Sequence, residues 1–99
     1  MRADYDSRAD ALSIDFQVFE HFDAEEQVDD DFCNVGFVAG RPAALELIGP
    51  AQHLDLLEVA AERYGLDRAA LIAAAQATLA APDRLVTIEV GKSLLAKAA

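Results

Sequence analysis

The chain has a single cysteine, no tryptophan, five glycines and three prolines among its 99 residues. One cysteine, Cys33, cannot form an internal disulfide, which excludes the disulfide-rich secreted scaffolds. No apolar run approaches the ~20 residues that span a bilayer, and residues 1–6 lack the apolar segment of a signal peptide. These absences predict a cytoplasmic protein without a membrane segment.

Basic residues are also scarce, since eight Lys and Arg stand against 18 Asp and Glu, for a net charge of −10 and a pI of about 4.3. Residues 1–50 hold twelve acids and three arginines, a balance of −9, whereas residues 51–99 hold six acids and five bases, a balance of −1. An acidic surface repels phosphate backbones and anionic lipid, which disfavours nucleic acid and membrane as partners. A basic protein would be attracted to the acidic half.

The apolar fraction of 54% is high for so short a chain and excludes intrinsic disorder. The length predicts one domain over residues 1–99, comprising a β-rich acidic half (1–50), a helical pair (51–81) and a final strand (84–90). Small chains with more apolar residues than one core can hold often cover the excess in a subunit interface. We therefore expect a homodimer.

Strands are predicted in the first half, because apolar and polar residues alternate from Leu12 to Val18 with the period of a strand that has one buried face. A shorter strand over residues 2–5 would pair with it through the turn-forming residues 6–10. Two more strands, over residues 32–38 and 43–48, flank a turn at Gly40. The acidic residues 20–31, between the second and third predicted strands, predict an irregular loop.

Two helices and a last strand are predicted in the second half. Residues 52–64 carry apolar residues at helical spacing, and Gly65 would end that helix. Asp67 would cap the second helix, residues 68–81, and Pro82 would stop it. Alternation over residues 84–90 predicts the final strand, and residues 91–99 a frayed tail.

Together these elements predict an α+β fold in which a curved antiparallel sheet of four or five strands carries two helices packed on one face. The predicted core consists of the larger apolar residues on the facing surfaces: Leu12, Ile14, Phe16, Val35, Phe37, Leu45, Leu47, Leu54, Leu57, Leu71, Ile72, Leu79, Val86 and Ile88.

Two motifs carry a family resemblance. Residues 5–14 read Tyr-Asp-Ser-Arg-Ala-Asp-Ala-Leu-Ser-Ile, and residues 40–48 read Gly-Arg-Pro-Ala-Ala-Leu-Glu-Leu-Ile, with an acidic segment between them. Residues 1–50 thereby resemble the bacterial family called domain of unknown function 2283. The resemblance implies a small curved sheet and no activity. The chain departs from the family in residues 31–34, where a Gly-Val start is usual, and in its helical C-terminal extension.

Residues 56–72 resemble the helix pair of ribbon-helix-helix repressors and antitoxins. In such dimers the strand before the first helix pairs with its twin and enters the DNA major groove. The corresponding residues 43–48 include Glu46 but no Lys, Asn or Gln for base edges. The pI of about 4.3 also opposes DNA binding, since DNA-binding domains usually exceed about 9. A DNA-binding dimer stays an alternative.

The acidic run over residues 23–31, preceded by His21, is the most conspicuous polar feature. Carboxylates could hold Ca²⁺ or Mg²⁺, but the run lacks the glycine of a calcium loop's sharp turn. It could also be a solvated segment that protects a strand edge from aggregation, or a docking site for a basic peptide. The predicted partner-binding residues are Glu25, Glu26, Asp29, Asp30 and Asp31.

Other acidic residues belong to the opening hairpin. Asp4, Asp6, Asp10 and Asp15 could project carboxylates from one sheet face for acid–base chemistry. Because Asp6 and Asp10 flank a turn, we expect them to hydrogen-bond the backbone instead.

Cys33, His21 and His53 are too few and too widely spaced for a zinc site. Cys33 is predicted on the inward sheet face, where a thiol is inert. Ser7, Ser13 and Ser93 have no partner base. No catalytic, cofactor or metal site is therefore predicted.

The leading hypothesis is a non-enzymatic interaction module that engages a basic protein through its acidic half, for example by masking a small basic partner as an antitoxin does. One alternative is a small-ligand-binding protein or enzyme with its site between sheet and helices. The other is the DNA-binding dimer.

Overall fold

The computed structural model describes residues 1–88 and contains one open antiparallel sheet with two helices on one face. Within that range the six strands are β1 (Arg2–Asp6), β2 (Ala11–Asp15), β3 (Ala24–Asp29), β4 (Cys33–Val38), β5 (Arg41–Ile48) and β6 (Val86–Thr87). The helices are α1 (Asp55–Tyr64) and α2 (Arg68–Ala80). The strand order is β3-β4-β5-β2-β1-β6. The α+β class is confirmed, with six strands rather than four or five.

The largest error of the sequence prediction lies in residues 20–31. Half of this segment, Ala24–Asp29, is the edge strand β3, which pairs antiparallel with β4, so the prediction of an irregular loop was wrong there. Within the described part of the predicted final strand, residues 84–88, Val86 and Thr87 pair with β1. Residues 89–90 of that prediction, and the tail over residues 91–99, lie outside the described residues.

The helix ends follow local chemistry. Helix α1 begins three residues later than predicted, because residues 49–53 form a turn in which the Gln52 amide donates to the Gly49 carbonyl at 3.0 Å. Gly65 ends α1 with a left-handed φ of 66°. The Asp67 carboxylate accepts the Ala70 amide at 3.1 Å and caps α2, which confirms its predicted role.

The core lies between the sheet and the helices. Seven predicted core residues are fully buried: Leu12, Ile14, Val35, Leu45, Leu47, Leu57 and Leu71. The other seven are only partly buried: Phe16, Phe37, Leu54, Ile72, Leu79, Val86 and Ile88. Three alanines of α2, Ala70, Ala74 and Ala75, are buried instead, since small side chains let a helix approach the sheet closely.

The larger exposed apolar side chains of the described residues are Val18, Phe22, Val59 and Leu85. They belong to three separate segments: the β2–β3 loop, α1 and the residue before β6. The homodimer expected from composition stays a prediction. Neither helix of the described part is long and apolar enough to cross a membrane.

Candidate functional site

The sheet face turned away from the helices, here called the outer face, is lined by polar side chains. Because side chains alternate along a strand, residues that alternate with the buried Leu12, Ile14 and Leu45 point outward. Strand register places one residue of each of the strands β1 to β5 in a row across this face: Asp4, Ser13, Glu46, Asn34 and Gln27. The row contains no basic side chain.

A second row runs beside the first. Asp15 pairs with Ala44, Ala44 with Gly36, and Gly36 with Glu25. Three interstrand spacings of about 4.8 Å place the backbones of Asp15 and Glu25 about 14 Å apart. The two small residues between them form a low floor bounded by a carboxylate at each end.

The loop between β2 and β3 crosses this floor and covers it with aromatic rings. Phe19 and Phe22 stack with ring centroids 4.8 Å apart and ring planes at 27°. The Phe22 ring lies directly against Gly36. The loop is tied down at Asp23, whose amide donates to the Phe37 carbonyl at 2.8 Å and whose carboxylate accepts the Ala39 amide at 2.6 Å.

Rings and floor enclose a cleft of about 150 Å³, here called the outer cleft. Its lining residues are Ser13, Asp15, Phe19, Phe22, Glu25, Asn34, Ala44, Leu45 and Glu46. Three of these side chains are carboxylates. Within residues 1–88, the basic group within salt-bridge distance of any of them is Arg2, 4.0 Å from Asp15. The outer cleft therefore combines an excess of negative charge with an aromatic wall.

A smaller hollow of about 70 Å³ continues the outer cleft toward the β3–β4 turn. Asn34 and Glu46 line both cavities, and Asp30 and Asp31 border the smaller one. The acidic surface is thus continuous from β2 to that turn.

The pKa of one carboxyl on the outer face, that of Asp4, is shifted by burial and by neighbouring negative charges. Burial raises the pKa of the Asp4 carboxyl, and the negative charges of Asp15 and Asp6 raise it further. The ionised form of Asp4 is therefore less favourable in the folded chain than in the unfolded chain, and a bound cation would relieve the part of this cost that comes from the like charges.

The five predicted partner-binding residues do not lie at one place on the surface. Glu25 lines the outer cleft, while Asp30 and Asp31 border the smaller hollow. Glu26 points toward the helices and accepts a hydrogen bond from the Tyr64 hydroxyl at 2.9 Å. The Asp29 carboxylate accepts the amides of Asp31 and Phe32 at 2.9 and 3.0 Å, which stabilises the turn.

The four acidic residues of the opening hairpin also differ in position and in hydrogen bonding. Asp4 and Asp15 lie on the outer face, whereas the Asp6 carboxylate accepts the backbone amides of Arg8 and Ala9, as expected for a turn residue. Asp10 instead accepts the Tyr5 hydroxyl at 2.6 Å.

The thiol and imidazoles do not form a reactive group. Cys33 is 3% exposed, and burial, followed by the nearby Asp29 charge, raises the pKa of its thiol to about 11. His53 stacks on Phe32 with centroids 4.1 Å apart, and His21 lies exposed in the β2–β3 loop. Among the described side chains, no group of three His, Cys, Asp or Glu residues is placed to hold a metal ion.

Two alternatives of the sequence analysis can be compared with this geometry. The strand that a ribbon-helix-helix dimer would pair with its twin corresponds to β5, which is paired with β4 on one side and β2 on the other. The space between sheet and helices, where a small-ligand site was expected, is occupied by the buried side chains of the core.

Sequence reasoning did not identify most of the outer cleft. The sequence prediction includes Asp15 among the hairpin carboxylates and Glu25 among the partner-binding residues, but it connects neither of them with Ser13, Asn34, Glu46 or the two phenylalanine rings. The available signal was the alternation of polar residues with core residues along the strands, which indicates the residues that lie on the outer face.

Comparisons of the chain with protein-family models, with curated proteins and with solved structures find no match. The resemblance to domain of unknown function 2283 stays a prediction.

Proposed function

We propose that the protein is a non-enzymatic interaction module that engages a basic protein through its outer face. The observation that carries the proposal is the convergence of Asp15, Glu25 and Glu46 on one aromatic-walled cleft. Binding a cation there would offset the mutual repulsion of the carboxylates. We place this function in the cytoplasm, where the lone, reduced Cys33 is expected.

The proposal refines the hypothesis drawn from charge alone. Residues 1–50 carry the acidic excess, and the fold gathers part of it on one sheet face while using Glu26 and Asp29 for internal hydrogen bonds. The binding surface is therefore centred on Glu25 and Glu46 rather than on the whole acidic run.

A titration with a defined peptide tests the proposal. The probe is an octapeptide in which Arg and Lys alternate with Gly, and affinity is measured by calorimetry at low and high salt. Glu25→Gln combined with Glu46→Gln is expected to weaken binding about 5- to 30-fold, since loss of each cleft carboxylate is worth about 0.5–1 kcal/mol. Raising the salt concentration is expected to weaken binding to the unchanged protein.

The matched control changes two exposed acids of α1, Asp55→Asn with Glu62→Gln, and so alters the net charge equally. We expect it to bind within about twofold of the unchanged protein. The charges of Asp55 and Glu62 are on α1, on the other side of the sheet, and act on the outer face only weakly through solvent. Equal losses in the two double variants would mean that only net charge matters and would refute the proposal.

A further inference from the structure

The outer cleft offers two kinds of surface that one side chain could use together. Its wall is the stacked pair Phe19 and Phe22, of which Phe22 remains 39% exposed. Its rim offers oxygen acceptors from Asp15, Glu25 and Glu46, and it also contains the side chains of Ser13 and Asn34. The acceptors are spread along the rim rather than focused on one point, since Asp15 and Glu25 lie on strands three spacings apart.

Arginine and lysine differ in how they meet such a surface. A guanidinium is planar, carries five N–H donors in a rigid fork, stacks on aromatic rings and is weakly hydrated. An ammonium is a compact, strongly hydrated point charge with three donors. A flat wall beside dispersed acceptors fits the guanidinium, because stacking and several charge-assisted hydrogen bonds can form at once.

We infer that the outer cleft binds an arginine side chain of the basic partner, with the guanidinium against the exposed part of the Phe19–Phe22 pair and its N–H groups donating to the carboxylates of Glu25 and Glu46. This inference rests on the proposed function and names the group that the outer face recognises. Phe22 is then a specificity residue, because it distinguishes arginine from lysine where the carboxylates alone would attract both.

Two peptides of equal charge test the inference: four Arg-Gly repeats and four Lys-Gly repeats, titrated separately at the same salt concentration. We expect the arginine peptide to bind about fivefold more tightly, which corresponds to about 1 kcal/mol for one cation–π contact at a partly exposed ring. Phe22→Leu keeps an apolar side chain over Gly36 but removes the ring, so it is expected to abolish the preference while the lysine peptide binds within about twofold of its original affinity. Val18→Ala, in the same loop at an 85% exposed position, is the control and should leave both affinities unchanged.

The outcomes separate the two proposals. Equal binding of both peptides that is lost in the Glu25→Gln and Glu46→Gln double variant would overturn the arginine inference and leave the proposed function standing. An arginine preference that survives in Phe22→Leu would also overturn the inference. Absence of binding by either peptide at low salt would overturn both.

Discussion

The ring of Phe22 occupies the space that a side chain at Gly36 would need. A Cβ atom on Gly36 would lie 2.5 Å from Cε1 of Phe22, closer than carbon atoms approach in proteins. Gly36 is in β4 and does not have a positive φ, so its backbone would accept any residue. The ring can therefore lie this close to β4 only because residue 36 is glycine, and in this position the ring forms part of the wall of the outer cleft.

We expect Gly36→Ala to damage the outer cleft more than the fold. The new methyl group would displace the Phe22 ring, which is already 39% exposed, so the free energy of unfolding should fall by less than about 1 kcal/mol. Arginine-peptide affinity should fall to that of Phe22→Leu. Urea titration and calorimetry measure the two effects.

Gly40→Ala is the matched control for this substitution. Gly40 has a φ of +76° and nothing within 4 Å of its Cβ position. Alanine there is strained but clashes with no neighbour, so we expect a loss of about 1–2 kcal/mol of stability with peptide affinity unchanged. If Gly40→Ala lowered the peptide affinity and Gly36→Ala did not, the result would show that the Phe22 ring does not need the space above Gly36.

The elements with a clear apolar period could be predicted from the sequence, and the edge strand could not. Strand β3 has exposed residues at its first four positions, and Val28 is its one apolar residue that packs on the core. Its inward-pointing Glu26 is held by the Tyr64 hydroxyl rather than by apolar packing. An edge strand that buries little has no period-two signal, and its acidic residues favoured the prediction of a loop.

The outer cleft could not be predicted from the sequence for a different reason. Asp15, Glu25 and Glu46 come together through strand order and register, which depend on β5 lying between β4 and β2. Alternation predicts which face a residue occupies but not which strand lies beside it. The Phe19 and Phe22 rings belong to a loop, and nothing in their spacing indicates that the loop folds back over the sheet.

Leu47→Ala is expected to destabilise the protein more than Phe16→Ala. Leu47 is 0% exposed and lies between Leu12 and Cys33 in the sheet register, so its truncation should cost about 2–5 kcal/mol. Phe16 follows β2 and is only partly buried, so we expect a smaller loss of about 1–2 kcal/mol. Urea titration of both variants compares the free energies of unfolding, and a larger loss for Phe16→Ala would place the core nearer the loop.

Asp67→Ala should lower the free energy of unfolding by about 1 kcal/mol, because the Ala70 amide loses its capping acceptor. Asp67→Ser retains a hydroxyl acceptor and should recover most of that loss. Thermal or urea unfolding measures the difference. Equal stability of the alanine and serine variants would show that the capping hydrogen bond contributes nothing.

The pKa of Asp83 is lowered because its carboxylate accepts hydrogen bonds from the Ser7 amide at 2.9 Å and the Ser7 hydroxyl at 2.7 Å. A carboxyl whose pKa is lower in the folded state stabilises the fold above its unfolded pKa, and this contribution disappears as the pH falls through the folded value. Asp83→Asn should therefore be less stable than the unchanged protein at neutral pH, and the difference should vanish in acid. Urea titrations over a pH series measure it, and a difference that is constant with pH would exclude a contribution from ionisation.

The ionised carboxylate of Asp4 is expected to affect the free energy of unfolding in the opposite direction from that of Asp83. Burial and the charges of Asp15 and Asp6 raise its pKa in the folded state, so the folded chain holds the Asp4 proton more tightly than the unfolded chain does. At neutral pH the ionised carboxylate thus opposes folding, and Asp4→Asn should be more stable than the unchanged protein. That advantage should shrink as the pH falls through the raised pKa, because the unchanged protein then becomes neutral at this position too. The same pH series measures both variants, and an Asp4→Asn variant less stable than the unchanged protein at neutral pH would show that burial and like charges do not disfavour the ionised Asp4 carboxylate in the folded chain. Since a bound cation relieves the same repulsion, the basic peptide should stabilise the unchanged protein more than it stabilises Asp4→Asn.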